Sequence, residues 1–242
     1  MANAKTSKAR LTRGALTPES IARSALRLLD ERGLSGFTLP ALGRAMGADQ
    51  TAVYRHFASK DELILAVADL LLHEIADNFV DHSCWRANLA ELSRRIREVY
   101  KRHPAAGSLS GSRTTGRSGE KRVVEYFLAA ISGAGFTGAE IALYYRVVAD
   151  FSLFWAGGHA GYLALSPELQ LSDESAWSRD YWDSSPRDYP HTAKVRHELV
   201  EVGFDEIFET ALTLMLDGVE ARASNPCLCN DTGMPPETNR LR

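Results

Sequence analysis

Apolar residues recur at three- and four-residue spacing along almost the whole chain, the period of an amphipathic helix. No stretch alternates as a strand would, and no internal repeat is present. Thr17 followed by Pro18 reads as an N-cap and a first helical position. Ile21, Ala25, Leu28 and Leu29 then share one face, and Gly33 ends that helix. Two very short helices are predicted near 39–46 and 50–56. The S-K-D-E string from Ser59 reads as a capping box for a fourth helix running to about Phe79. That helix carries two apolar stripes, one with Leu63, Val67, Leu70 and Leu71, the other with Leu72, Ile75 and Phe79. Two stripes imply contact with two bodies, so this helix joins the front of the chain to the rest.

Further helices are predicted near 85–102, 120–133, 138–164 and 203–221. Ten of the sixteen residues in 104–119 are Gly, Ser or Thr, which reads as a flexible breaker segment. Residues 166–190 read as a long loop, whose Trp177, Tyr181, Trp182 and Tyr189 favour partial packing. Residues 222–242 read as a disordered tail. The fold class is therefore all-α, a three-helix head at 17–60 followed by a helical bundle over 61–221.

Composition narrows the class further. The chain has 242 residues, 45% hydrophobic and 24% charged, an ordinary globular balance. This excludes a disordered, collagen-like or disulfide-scaffold chain. The longest apolar run, Ile64 to Leu72, is short and contains Asp69, so no membrane span is expected. The N-terminal MANAKTSKARLTRGAL lacks an apolar core for a secretory signal. Cys84 stands alone and Cys227 and Cys229 form a C-x-C near the end, which suits a reduced, cytoplasmic setting. Charge is asymmetric: residues 1–60 carry ten basic and four acidic residues, the remainder 18 and 27. A basic front on an acidic body points to a polyanion partner for the front. The alternative is a solvated basic arm, since four of those ten lie within residues 1–16.

The chemistry concentrates in Thr38–Lys60, TLPALGRAMGADQTAVYRHFASK. Two helices of about two turns are too short to stand alone and must brace each other. Leu39, Leu42, Met46 and Val53 supply the seam, Gly43 a close crossing, and Gly47 a turn with positive φ. This is helix-turn-helix spacing. Asp49 caps the second helix, which then exposes Gln50, Thr51, Tyr54 and Arg55. Gln pairs with an adenine edge, Thr with a thymine methyl, Arg with guanine or phosphate. Thr38, Tyr54, His56 and Lys60 are phosphate donors by type, and Arg44 is a further candidate contact. Each has a plainer alternative: Tyr54 a half-buried ring, His56 a packing residue, Thr38 and Asp49 caps, Arg44 a solvated charge.

Leu29–Leu39 (L-x-x-x-G-x-x-G-F-T-L), Ala41–Ala48 (ALGRAMGA) and Ala52–Leu63 (AVYRHFASKDEL) resemble the DNA-binding domain of the TetR family of transcriptional regulators. The resemblance implies homodimeric repressors, with Thr38, Gln50, Thr51, Tyr54, Arg55, His56 and Lys60 at operator DNA. The body resembles the tetracycline-repressor subtype more loosely, through Trp85, the His103-Pro104 pair and Gly135-Phe136. That implies dimerisation through the 138–164 and 203–221 helices.

A regulator of this kind senses a small molecule, and a bundle interior is where such a site forms. The candidates are Phe79, Ile96, Tyr100, His103, Phe127, Asp150 and Phe154, each weighed against plain core packing. Arg146 and Asp150, four apart, are expected to pair, as a ligand anchor or as an interface ion pair. No metal-ligand spacing appears, and His191 and His197 are six apart. No phosphate loop, nucleophile elbow or H-E-x-x-H appears, so no enzyme and no cofactor are expected. The reading is a ligand-responsive repressor released from operator DNA by an effector. The competing reading is a nonspecific architectural DNA binder, against which the acidic body argues.

Overall fold

Local caps decide where the first helices begin. In the computed structural model, which describes residues 16–77 and 79–227, the Thr17 hydroxyl accepts from the Ser20 amide at 3.1 Å. The Ser20 hydroxyl accepts from the Thr17 amide at 3.0 Å, so two amides that the helix leaves unpaired are satisfied together. Helix α1 (Pro18–Gly36) follows and is interrupted at Gly33, which takes φ 62°. Helices α2 (Leu39–Ala45) and α3 (Gln50–Tyr54) complete the head. Helix α4 (Lys60–Asp77) starts from Ser59, whose hydroxyl accepts from the Glu62 amide at 3.1 Å. The Glu62 carboxylate reaches back to the Ala58 amide at 2.6 Å, one residue beyond the usual partner.

The body consists of α5 (Trp85–Arg102), α6 (Pro104–Ser110), α7 (Ser118–Gly133), α8 (Ala139–Leu163), α9 (Pro167–Ala176), α10 (Pro190–Glu201) and α11 (Phe204–Glu220). α5 lies at its centre. Leu89, Leu92, Ile96 and Val99 are buried against Phe127 and Ile131 of α7, Val148 of α8, and Phe208 and Leu212 of α11. Each such side chain contributes about 1.5–3 kcal/mol by leaving water. α4 packs on α1 on one side and on α5, α6 and α7 on the other, as its two stripes require. All described residues are helix or connection, and no helix among them is long and apolar enough to cross a membrane.

Three expectations are corrected. The 104–119 segment is only partly a connection: Pro104 opens α6, residues 111–117 are non-helical, and Ser118 opens α7. Its small residues serve contact, because a Cβ at Gly111 would lie 2.8 Å from the Gly157 Cα on α8. The 166–190 loop is also mostly helical. Ser166 caps α9, a π-helical turn (Trp177–Tyr181) continues it, and Trp177 stacks on Tyr181 with centroids 4.3 Å apart. α10 follows, so His191 and His197 share one helix, and none of the residues in α9, the π turn or α10 is buried.

The third correction concerns the tail, which is ordered through Cys227. The Trp85 indole donates to the Asn225 carbonyl at 2.8 Å, and the Asn225 amides donate to Gly133 and Ala134. Cys84 is therefore not alone: it is disulfide-bonded to Cys227, with Cα atoms 6.1 Å apart. Cys229, the basic arm to Ala15 and residues 228–242 lie outside the described residues.

Candidate nucleic-acid interface and ligand chamber

The head is assembled from a few side-chain and backbone bonds. Thr38 caps α2, accepting from the Ala41 amide at 3.2 Å. Gly47 takes φ 63°, which an L side chain rarely adopts, and turns the chain so that the Ala48 amide meets the Gly43 carbonyl at 2.9 Å. Asp49 caps α3, accepting from the Thr51 amide at 2.8 Å, and that bond holds its carboxyl below the usual range. Leu42, Val53 and Phe57 are buried beneath the two short helices.

Of the side chains that the pattern places outside, Arg44, Thr51 and Arg55 are exposed and His56 is half-buried, while the side chain of Gln50, at the start of α3, lies outside what is described. Tyr54 is 53% exposed, which rules out the half-buried ring. Lys60 does a structural task as well. Its ammonium donates to the Phe37 carbonyl at 3.0 Å and sits 4.8 Å from the Phe37 ring centroid, fastening α4 to the head.

The body holds a narrow inner cavity of about 30 Å³ beside an outer recess of about 440 Å³. Ile96, Tyr100 and Phe127 line the inner space, so three predicted residues converge there. Burial pushes the Tyr100 hydroxyl above its ordinary pKa, against a hydrogen bond from Ser110. Asp150 and Phe154 edge the outer recess instead. The Asp150 carboxylate accepts from Arg146 at 2.8 and 3.0 Å, the predicted pair.

Phe79 and His103 lie in neither space. Phe79 packs on Tyr126, with centroids 4.6 Å apart. The His103 imidazole lies 2.9 Å from Asp30 of α1 and 3.4 Å from Glu74 of α4, so it belongs to the joint between head and body. Sequence reasoning missed Arg113, Glu120 and Tyr145, which line both spaces together with Val124 and Leu153. Arg113 was hidden in the stretch read as a loop. Pro104 followed by A-A-G-S-L-S was the available signal of the helix that precedes it.

The wall of this chamber is tied to α4. Arg113 makes a two-pronged pair with Asp61 at 2.7 and 2.8 Å, which holds the Asp61 carboxyl below its ordinary range. The Glu120 amide donates to Asp69 at 3.1 Å, and the Glu120 carboxylate accepts from Thr115 and Gly116. Arg117 approaches Glu62 at 3.8 Å.

Family models match both halves. Residues 21–67 match "bacterial regulatory proteins, tetR family", and residues 81–223 match "tetracyclin repressor-like, C-terminal domain". The chain belongs to the TetR family. An HTH-type transcriptional regulator of Saccharopolyspora erythraea is 26% identical over 130 residues, 54% of this chain and 55% of the relative. The chain thus spans about half that relative's length. The tetracycline repressor protein class A from transposon 1721 of Escherichia coli is 25% identical over 86% of this TetR-family chain and 92% of the repressor. In fold, the chain is similar to ActR of Streptomyces coelicolor crystallised with actinorhodin, at TM-score 0.74 and 19% identity, covering 86% and 97% of the two chains.

Proposed function

We propose that the protein is a ligand-responsive, DNA-binding transcriptional repressor that acts as a homodimer. The observation that carries this is α4. One helix bonds to the head through Lys60 and to the chamber wall through Asp61 and Asp69. Membership of the TetR family supports the reading, as do the repressor named above and the ligand held by ActR. Thr51 and Tyr54 of α3 and Arg55 at its C-cap present mixed donors, a methyl and a guanidinium close together, which suits base edges in a major groove. Thr38, Arg44, Gln50, His56 and Lys60 complete the proposed contact set, with phosphates as partners for the last two. The chamber takes a small-molecule effector, contacted by Ile96, Tyr100, Phe127, Asp150 and Phe154.

Dimerisation through α8 and α11 is supported by what these helices leave uncovered. Leu143, Val147 and Phe154 of α8 and Phe204 and Leu214 of α11 are exposed in the single chain. Faces of that kind suit a four-helix interface. Two heads then meet half-sites about one helical turn apart, ~34–36 Å. An effector releases DNA only by favouring a different spacing of the heads. Fluorescence anisotropy on DNA upstream of the protein's own gene, against a shuffled duplex at two salt concentrations, tests this. Tight binding to the first duplex alone is expected, weakened by Arg55→Ala through about 1–3 kcal/mol of lost contact. Equal, salt-sensitive binding to both duplexes would mean a nonspecific binder.

A further inference from the structure

Arg113 stands at a crossing of two functions. It lines both the inner cavity and the outer recess, yet the carboxylate partner of its guanidinium, Asp61, lies in the first turn of α4. Two other acids of the chamber wall have partners nearer at hand. Asp150 is held by Arg146, and Glu120 by the Thr115 hydroxyl and the Gly116 amide. Asp61 is 58% exposed, so its pair with Arg113 is of the weak, exchangeable surface kind. Its place at a helix N-terminus stabilises the carboxylate when the guanidinium leaves. The outer recess that Arg113 lines also carries apolar side chains, Val124, Leu153 and Phe154.

Resting on the regulator reading above, we propose that the effector is an amphiphilic organic acid whose carboxylate takes Arg113 from Asp61. The apolar part lies in the outer recess against Val124, Tyr145 and Leu153, and the acid replaces one carboxylate by another on the same fork. The exchange releases Asp61, which is next in sequence to the Lys60 that fastens the head. Arg113 is thus the residue that selects an anion and reports its arrival. Ligand and α4 compete for one cation, so each weakens the other's hold on it by the same factor.

The test uses full-length protein and two probes of equal shape, cinnamate and its neutral amide cinnamamide, in calorimetric titrations. Cinnamate is expected to bind about tenfold or more tightly than the amide. Arg113→Gln is expected to erase that preference, so that the two probes bind alike. Asp61→Asn, which alters only an exposed group, is expected to raise cinnamate affinity about two- to fivefold. Equal binding of the two probes, binding of neither at millimolar concentration, or an unchanged cinnamate affinity in Asp61→Asn overturns the proposal. The regulator reading is tested separately. If wild-type protein prefers cinnamate but distinguishes no DNA sequence, the regulator reading fails while the anion site stands. If sequence-specific DNA binding holds but the probes bind alike, only the anion proposal fails.

Discussion

α6 and the α9–α10 arm are both helical segments rich in small or polar residues, yet they bury very different amounts of themselves. In α6, Ala105, Ala106, Gly107 and Ser110 are all buried, wedged against α5 and α8. The arm buries nothing in the single chain, and Leu169, Leu171, Trp177 and Tyr189 face outward. Small side chains thus mean opposite things in the two places. In α6 they permit close backbone approach, which recovers dispersion contact and excludes water. In the arm, large apolar side chains are present but stay exposed even where they stack on one another.

The largest expected effect breaks the tight side of this contrast. Gly111→Val sets a side chain against the Gly157 backbone, where a Cβ alone would be 2.8 Å away. Overpacking of that kind costs about 1–3 kcal/mol in chemical denaturation. Unchanged stability would show that α6 does not depend on close crossing. A smaller effect sharpens the picture of the neighbouring turn of α8. His159 stacks on Phe204 with centroids 4.6 Å apart, and burial, with Arg97 and Lys101 nearby, lowers its pKa. The folded chain then binds this proton less readily than the unfolded chain. The contribution is intact above the unfolded value, about 6.5, and is lost as the pH falls below it. His159→Phe is expected to flatten the fall in melting temperature between neutral and mildly acidic buffer. The smallest effect lies in the arm: Leu171→Ser is expected to change protomer stability by no more than about 0.5 kcal/mol. Amide hydrogen exchange checks the same contrast, with α6 protected far longer than α9 and α10.

How much the sequence revealed follows from the range of the forces involved. The head was legible almost to the residue, because Thr17, Thr38, Asp49, Ser59 and Gly47 act within four residues of themselves. α6 was illegible for the opposite reason. Its stability comes from Gly157 and Ala160, some fifty residues away, and composition alone cannot distinguish a small residue that packs from one that bends. The anchoring of Asn225 beneath Trp85, and the disulfide that follows it, rest on equally distant partners. In the chamber, Ile96, Tyr100 and Phe127 could be placed by helical periodicity. Arg113 could not, since its role depends on which two helices the α6–α7 connection bridges.

The sharing of α4 also fixes how this protein can be cut and recombined. A chimaera joined at residue 60 would carry over the reading surface but leave Phe37 beneath a foreign lysine position and Arg113 facing a foreign acid. The natural seam runs along the length of one helix rather than across the chain. A head grafted onto another sensor must therefore bring the buried face of α4 with it, and a sensor grafted onto another head must bring the acids that its wall grips. Specificity for sequence and responsiveness to a signal are separable in this architecture only together with the helix they hold in common.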